Sequence, residues 1–158
     1  MSRGEYTHIL LAVGLEVEDG AVIDRGCRLR DLFQARLTLL HVVGNVPKGI
    51  DYSSDLLTGE VALPESFDLE NQLIAAAKDQ LDALGERIGV PPGDRQIRLG
   101  KASKMILEAA RELNVDLIVI GARERRGLFS LLGSVSPSVV KHEVCDVLAV
   151  HIDPADRD

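Results

Sequence analysis

Tryptophan is absent from this chain, and Phe, Trp and Tyr together make up only 3% of it. It therefore has no set of aromatic platforms on which the bases of a nucleic-acid strand would stack. Basic residues are outnumbered: 18 Lys and Arg stand against 25 Asp and Glu, a formal charge of -7. A negative field of that sign repels a phosphate backbone, so nucleic acid is not the expected partner. No apolar run approaches the roughly 20 residues that cross a bilayer, so no membrane partner is expected. Cysteine is scarce as well. Cys27 and Cys145 lie far apart without CxxC spacing, and the N-terminus has no charged-then-apolar stretch followed by a small-residue cleavage site, which together give the expectation of a cytoplasmic protein. Neither thiol neighbours a histidine that would activate it, so both read as small core hydrophobes.

Several motifs are also missing. There is no GxxxxGK[ST] and no GxGxxG after a strand, so neither a P-loop NTPase nor a dinucleotide site is supported. The histidines His8, His41, His142 and His151 lack HxxxH or His/Cys cluster spacing, which gives no zinc site. They read instead as residues at or near strand ends (His8, His41, His151) and at a helix C-terminus (His142), where positive charge is favourable. The acidic residues Asp51, Asp55, Glu60, Glu65, Asp68 and Glu70 do not have the spacing of a calcium loop and read as a solvated surface. No Gly-x-Ser-x-Gly elbow surrounds Ser134 or Ser136, so no serine nucleophile is expected. No residue is put forward as catalytic.

What is present is one domain's worth of chain: 158 residues, 46% hydrophobic and 27% charged, enough to bury a core. Short β-rich runs alternate with longer segments of helical period, the pattern of an α/β fold with a parallel sheet and helical crossovers. The strands are expected at about Thr7 to Val13, Leu37 to Val43, Gln96 to Leu99, Leu117 to Ile120 and Val147 to Ile152. Their continuous apolar character predicts cover on both faces. Asp19 is positioned to cap a helix to about Phe33, and Asp68 a longer one in which Leu73, Ala77, Leu81, Leu84 and Ile88 recur at helical spacing. A third helix, Ala102 to Leu113, shows Met105, Ile106, Ala109, Ala110 and Leu113 on one side. A fourth is expected from Ser134 to His142, with Pro137 in its first turn. The stretch from Gly44 to Ser66 reads as one long connection.

The segment after the fourth strand carries the chemistry. The run Leu117-Ile118-Val119-Ile120 ends in Gly121, opens into a loop containing Arg123, Arg125 and Arg126, and restarts at Gly133-Ser134-Val135-Ser136. The first N–H groups of a helix have no backbone partner and sit at the positive end of its dipole, so this turn is suited to an anion such as phosphate.

Three places, Thr7 to Val13, Leu39-Leu40-His41-Val42 and the block from Asp116 through Val150, resemble the universal stress protein family, most of all its A type. The resemblance covers nearly the whole chain. It implies an adenine nucleotide alpha hydrolase-like fold: an open five-stranded parallel sheet in the order 3-2-1-4-5 with helices on both faces, an order that right-handed crossovers also favour. The domain would span residues 1–153, with 154–158 as a short charged tail.

Any ligand would then lie where the strand order reverses, above strands 1 and 4. The cofactor-binding candidates are Ala12, Val13, Gly14, Val42, Gly121, Ala122, Arg123, Gly133, Ser134, Val135 and Ser136. The family's ATP binders carry a glycine, two residues, a second glycine, nine residues, then a glycine and Ser or Thr. Gly121 and the Gly133-Ser134 pair fit, but Glu124 replaces the second glycine and only eight residues separate it from Gly133. The aspartate with which those members end strand 1 is replaced by Gly14. A glutamate adds bulk and negative charge where phosphate oxygens need close approach.

The resemblance thus implies a cytoplasmic, dimeric, non-enzymatic stress-response protein that works through protein partners and has a degenerate nucleotide site at which ATP binds weakly. The alternative is an ATP-binding regulatory module using the loop from Gly121 to Ser136. The dimer is expected through the final strand, about Val147 to Ile152, whose edge is apolar.

Overall fold

The computed structural model describes residues 5–16, 19–44, 63–122 and 145–152, with the side chains of 63–68 left aside. The elements run β1 (His8–Ala12), α1 (Gly20–Phe33), β2 (Arg36–Val43), α2 (Leu63–Ile88), a short 3-10 turn at Pro92–Asp94, β3 (Arg95–Leu99), α3 (Ala102–Leu113), β4 (Leu117–Ala122) and β5 (Asp146–His151). The five strands form one sheet in the order β3-β2-β1-β4-β5, with every neighbouring pair parallel.

Burial follows from that order. The central strand β1 is buried at all its positions, and β4 at all but its last, which is why both read as unbroken aliphatic runs. One face carries Ile9, Leu11, Leu37, Leu39 and Val119 against Val22 of α1 and Leu81 and Leu84 of α2. The other carries Leu10, Ala12, Leu40, Ile118 and Ile120 against Ile106, Ala109 and Ala110 of α3. At the sheet edges burial falls away: β3 is half-buried to exposed, and β5 has Ala149 and His151 exposed.

Helix ends follow local chemistry. α1 stops at Gln34 and α3 at Asn114, both left-handed with φ near 53° and 52°. α2 stops at Gly89, φ 77°, and Val90 N–H donates to the Gly85 carbonyl at 2.8 Å, the six-to-one bond of a Schellman stop. Arg95 completes that end. Its side chain is 6% exposed, Nε and Nη2 donate to the Val90 carbonyl at 3.0 and 2.7 Å, and its two terminal nitrogens reach Asp82 and Glu86.

Several boundaries differ from expectation. Asp19 does precede α1, but it makes no side-chain cap bond; its carboxylate instead accepts the Glu16 N–H at 2.9 Å. α2 begins at Leu63 rather than at Asp68, so helix replaces the last part of the expected 44–66 connection. Leu73, expected on the buried stripe, is 43% exposed. β4 continues through Gly121 and Ala122, which pair with Val150 and His151, so the strand does not end at the glycine. The expected helix from Ser134 to His142 lies outside the described residues.

Candidate functional site

The strand order reverses at β1, which pairs with β2 on one side and β4 on the other. Its C-terminal end therefore opens a crevice between two diverging crossovers. Ala12 and Val13 are buried there, and Val13 N–H donates to the Leu40 carbonyl at 2.9 Å. Beyond it the backbone changes direction at Leu15. Leu15 is left-handed at φ 61°, a conformation that costs a side-chain-bearing residue free energy and persists only where neighbours enforce it. Glu16 and Asp19 enforce it reciprocally: Asp19 N–H donates to the Glu16 carbonyl, and the Asp19 carboxylate accepts the Glu16 N–H.

Gly14 lies against that carboxylate. A Cβ at position 14 would stand 3.3 Å from Asp19 Oδ2, and Asp19 itself is 1% exposed. A side chain at 14 would thus stand in tight contact with a carboxylate from five residues along, which would have to shift by a few tenths of an ångström.

On the β2 side, His41 Nδ1 lies 2.7 Å from the Val13 carbonyl, and Val42 packs partly against the α3 side of the core. On the β4 side, Gly121 is buried and Ala122 half-buried, and Ile152 N–H donates to the Ala122 carbonyl. Ala12, Val13, Gly14, Val42, Gly121 and Ala122 thus stand on adjacent strand ends. Arg123, Gly133, Ser134, Val135 and Ser136 lie outside the described residues.

Asp19 and His41 are the two polar groups at this crevice that sequence reasoning assigned to other roles, a helix cap and a strand-end residue. For His41 a signal was available. It shares the period-two face of β2 with Leu37 and Leu39, two positions that a core strand fills with aliphatics.

The opposite end of the sheet is a structural lock. Asp116 accepts the Thr7 N–H, the Thr7 hydroxyl and the His8 N–H at 2.8, 2.8 and 3.0 Å, fixing the start of β1 to that of β4. His8 Nε2 lies 2.7 Å from the Thr38 hydroxyl, and Tyr6 donates to Asp146. Burial, with help from Asp146 and Asp116, pushes the Cys145 thiol up to about 11, and burial raises Cys27 too. Both thiols are free and are held in the unreactive protonated form. Among the described residues no group of three His, Cys, Asp or Glu is placed to hold a metal ion, and no helix is long and apolar enough to cross a membrane.

An open parallel sheet with helices on both faces and a crevice at its reversal point defines the class: a doubly wound α/β protein. Within that class the chain belongs to the universal stress protein family, whose pattern matches residues 5–151. Universal stress protein A homolog 1 of Coxiella burnetii is 34% identical over 145 residues, covering 92% of this chain and 96% of the relative. The universal stress protein UspA of Lactobacillus plantarum shares the fold with a TM-score of 0.66 at 22% identity, covering 94% of this chain and 99% of that one. A universal stress protein solved in complex with cAMP aligns with a TM-score of 0.55 at 20% identity, over 95% of this chain and all of that one. Membership of this family supports a role in the stress response.

Proposed function

We propose that this chain is a cytoplasmic stress-response module, one domain over residues 1–153 with a short charged tail at 154–158, that acts as a homodimer through protein partners and not as an enzyme. Its crevice is a degenerate nucleotide site that takes ATP weakly. The carrying observation is the contact between Gly14 and Asp19: the end of β1 offers no side chain to a nucleoside, and Asp19 Oδ2 stands 3.3 Å from where one would begin. Glu124, in place of a glycine, adds a negative charge to the loop that would approach the phosphates. The dimer would form by antiparallel pairing of β5 with its symmetry mate, since that strand's outer side faces no other described strand and its edge groups seek partners.

The second reading is a regulatory module whose conformation or assembly shifts on nucleotide binding. It is favoured by the retained Gly121 and Gly133-Ser134 and by the nucleotide held by the cAMP-bound relative. Calorimetric titration with Mg-ATP separates the two. Weak but measurable binding supports the degenerate site, submicromolar affinity overturns it in favour of the module, and no binding removes both.

A further inference from the structure

We propose that the outer edge of β3 docks an extended, acidic segment of a partner protein, which joins the sheet as a sixth strand and seats its apolar side chains in the cleft between β3 and α2. This deepens the reading of a module that works through protein partners, and rests on it. The direction of the backbone groups comes first. The Gly100 N–H donates to the Val43 carbonyl of β2, and N–H groups alternate sides along a strand, so those of Gln96 and Arg98 also face β2 while those of Ile97 and Leu99 face outward. β3 is the last strand of the described sheet. The Arg95 N–H on that outer side is already taken by the Pro92 carbonyl, but Ile97 and Leu99 have no described strand beside them. A residue's carbonyl points the same way as its N–H, so the edge offers donors and acceptors in the pattern that another strand completes.

The side chains give the added strand its character. Arg95 and Ile97 share the face of β3 that looks onto α2, and with Ile74, Lys78 and Leu81 they line a cleft of about 540 Å³. Alternate side chains of an added strand project over this same face, so aliphatic groups at every second position enter the cleft. Charge then selects the partner. Among the described residues Arg95 holds Asp82 and Glu86, and Arg98 holds Glu112, whereas Lys78 in the cleft and Lys101 just past β3 are exposed and make no ion pair. These carboxylates are thus matched and the two lysines are not, in a chain whose formal charge is -7. The complement is a strand that carries carboxylates beside its aliphatic residues. A second copy of this chain fits less well: with β5 paired in the dimer proposed above, pairing at β3 would join dimers end to end without closure.

The test uses the full chain and a short end-blocked peptide in which valine and glutamate alternate, with a valine–lysine peptide as its control. Calorimetry measures affinity, and amide hydrogen exchange followed by NMR reads which N–H groups become protected. Leu99→Pro removes an outward donor and leaves the ladder to β2 intact; the double variant Lys78→Glu with Lys101→Glu reverses the charge at two exposed positions without touching the edge itself. The expected result is binding of the glutamate peptide with new protection at Ile97 and Leu99, affinity about tenfold weaker in each variant, and a preference for the lysine peptide in the charge-reversed one. Should Leu99→Pro not fold, the protection pattern of the wild type and the charge-reversed variant decide alone. No binding, protection that arises elsewhere, or equal affinity for the two peptides overturns the inference and leaves the partner reading standing. Concentration-dependent protection of Ile97 and Leu99 that excludes the peptide assigns the edge to a second copy and overturns it too. If crosslinking in stressed cells captures no other protein on any surface, the partner reading itself falls, and the inference with it.

Discussion

A methyl group added at Gly85 would stand 2.0 Å from Arg95 Nε and 2.8 Å from its Cδ, so the helix end and the guanidinium cannot both keep their places. Gly85→Ala gains about 1 kcal/mol of helix propensity but displaces a cation that bonds the Val90 carbonyl twice and pairs with Asp82 and Glu86. The expected outcome is net destabilisation by about 1–3 kcal/mol. In a urea-unfolding cycle the cost of Gly85→Ala should shrink when Arg95 is already alanine, because the clash is then gone. Full additivity would mean that the side chain of Arg95 does not occupy that space.

Two further residues set the response to acid. Burial first, and then the Arg36 charge, lower the His8 pKa. Burial works to raise that of Asp116, but the N–H groups of Thr7 and His8 and the Thr7 hydroxyl outweigh it and hold the carboxyl below its ordinary value. Both folded-state values are depressed, so in each case the unfolded chain binds its proton first. The stability involved is full above the unfolded pKa and is lost as pH falls through the folded one. For His8 the loss begins below about pH 6.5 and for Asp116 below about pH 4. The melting temperature should therefore hold level above neutrality and fall in two stages on acidification. His8→Gln should flatten the upper stage only; a wild-type melting temperature constant from about pH 5 to 7 would remove His8 from this role.

At the scale of elements, β5 carries the assembly proposal. The Ile152 N–H points to Ala122 of β4. Because N–H groups alternate sides along a strand, those of Leu148 and Val150 also face β4, and that of Ala149 faces outward. Proline at 149 therefore removes an outward donor and spares the β4 ladder. Light scattering should give a dimer for the wild type and a monomer for a folded Ala149→Pro. A monomeric wild type at micromolar concentration refutes the dimer, and a fully dimeric variant moves the interface elsewhere.

The same scale shows what the sequence made legible. β1, β2, β4 and α3 could be read because their core positions are uniformly aliphatic or fall at helical spacing, and right-handed crossover together with family likeness ordered the sheet. The start of α2 could not, since Asp68 has the chemistry of a cap and helix already extends back to Leu63. Leu73 fits the apolar stripe but is left exposed. The Gly121 strand end misled because glycine punctuates strands in general, whereas here it pairs with Val150. Of the candidate site, the meeting of strand ends was legible; the carboxylate of Asp19 beside Gly14 was not, because it depends on a turn that places Leu15 left-handed.

Over the whole molecule, the formal charge of -7 sets a field against any anionic ligand, so a nucleotide must be held by local donors. Two departures from the family's ATP-binding pattern, Gly14 and Glu124, then need not be equally reversible. Glu124→Gly removes charge and bulk from the loop proposed to approach the phosphates and should strengthen Mg-ATP binding. Gly14→Asp restores the carboxylate type found at the end of strand 1 in the family's ATP binders, yet it brings that carboxylate against Asp19 Oδ2, 3.3 Å from the new Cβ. Two like charges at that range oppose ionisation of both. Gly14→Asp alone should therefore lower the melting temperature and leave affinity weak, whereas Gly14→Asp combined with Asp19→Ser should bind more tightly than either single variant. Calorimetry on the wild type and the four variants decides this: strong binding by Gly14→Asp alone would mean that Asp19 does not close the crevice, and no gain from Glu124→Gly would place the defect in the shortened loop.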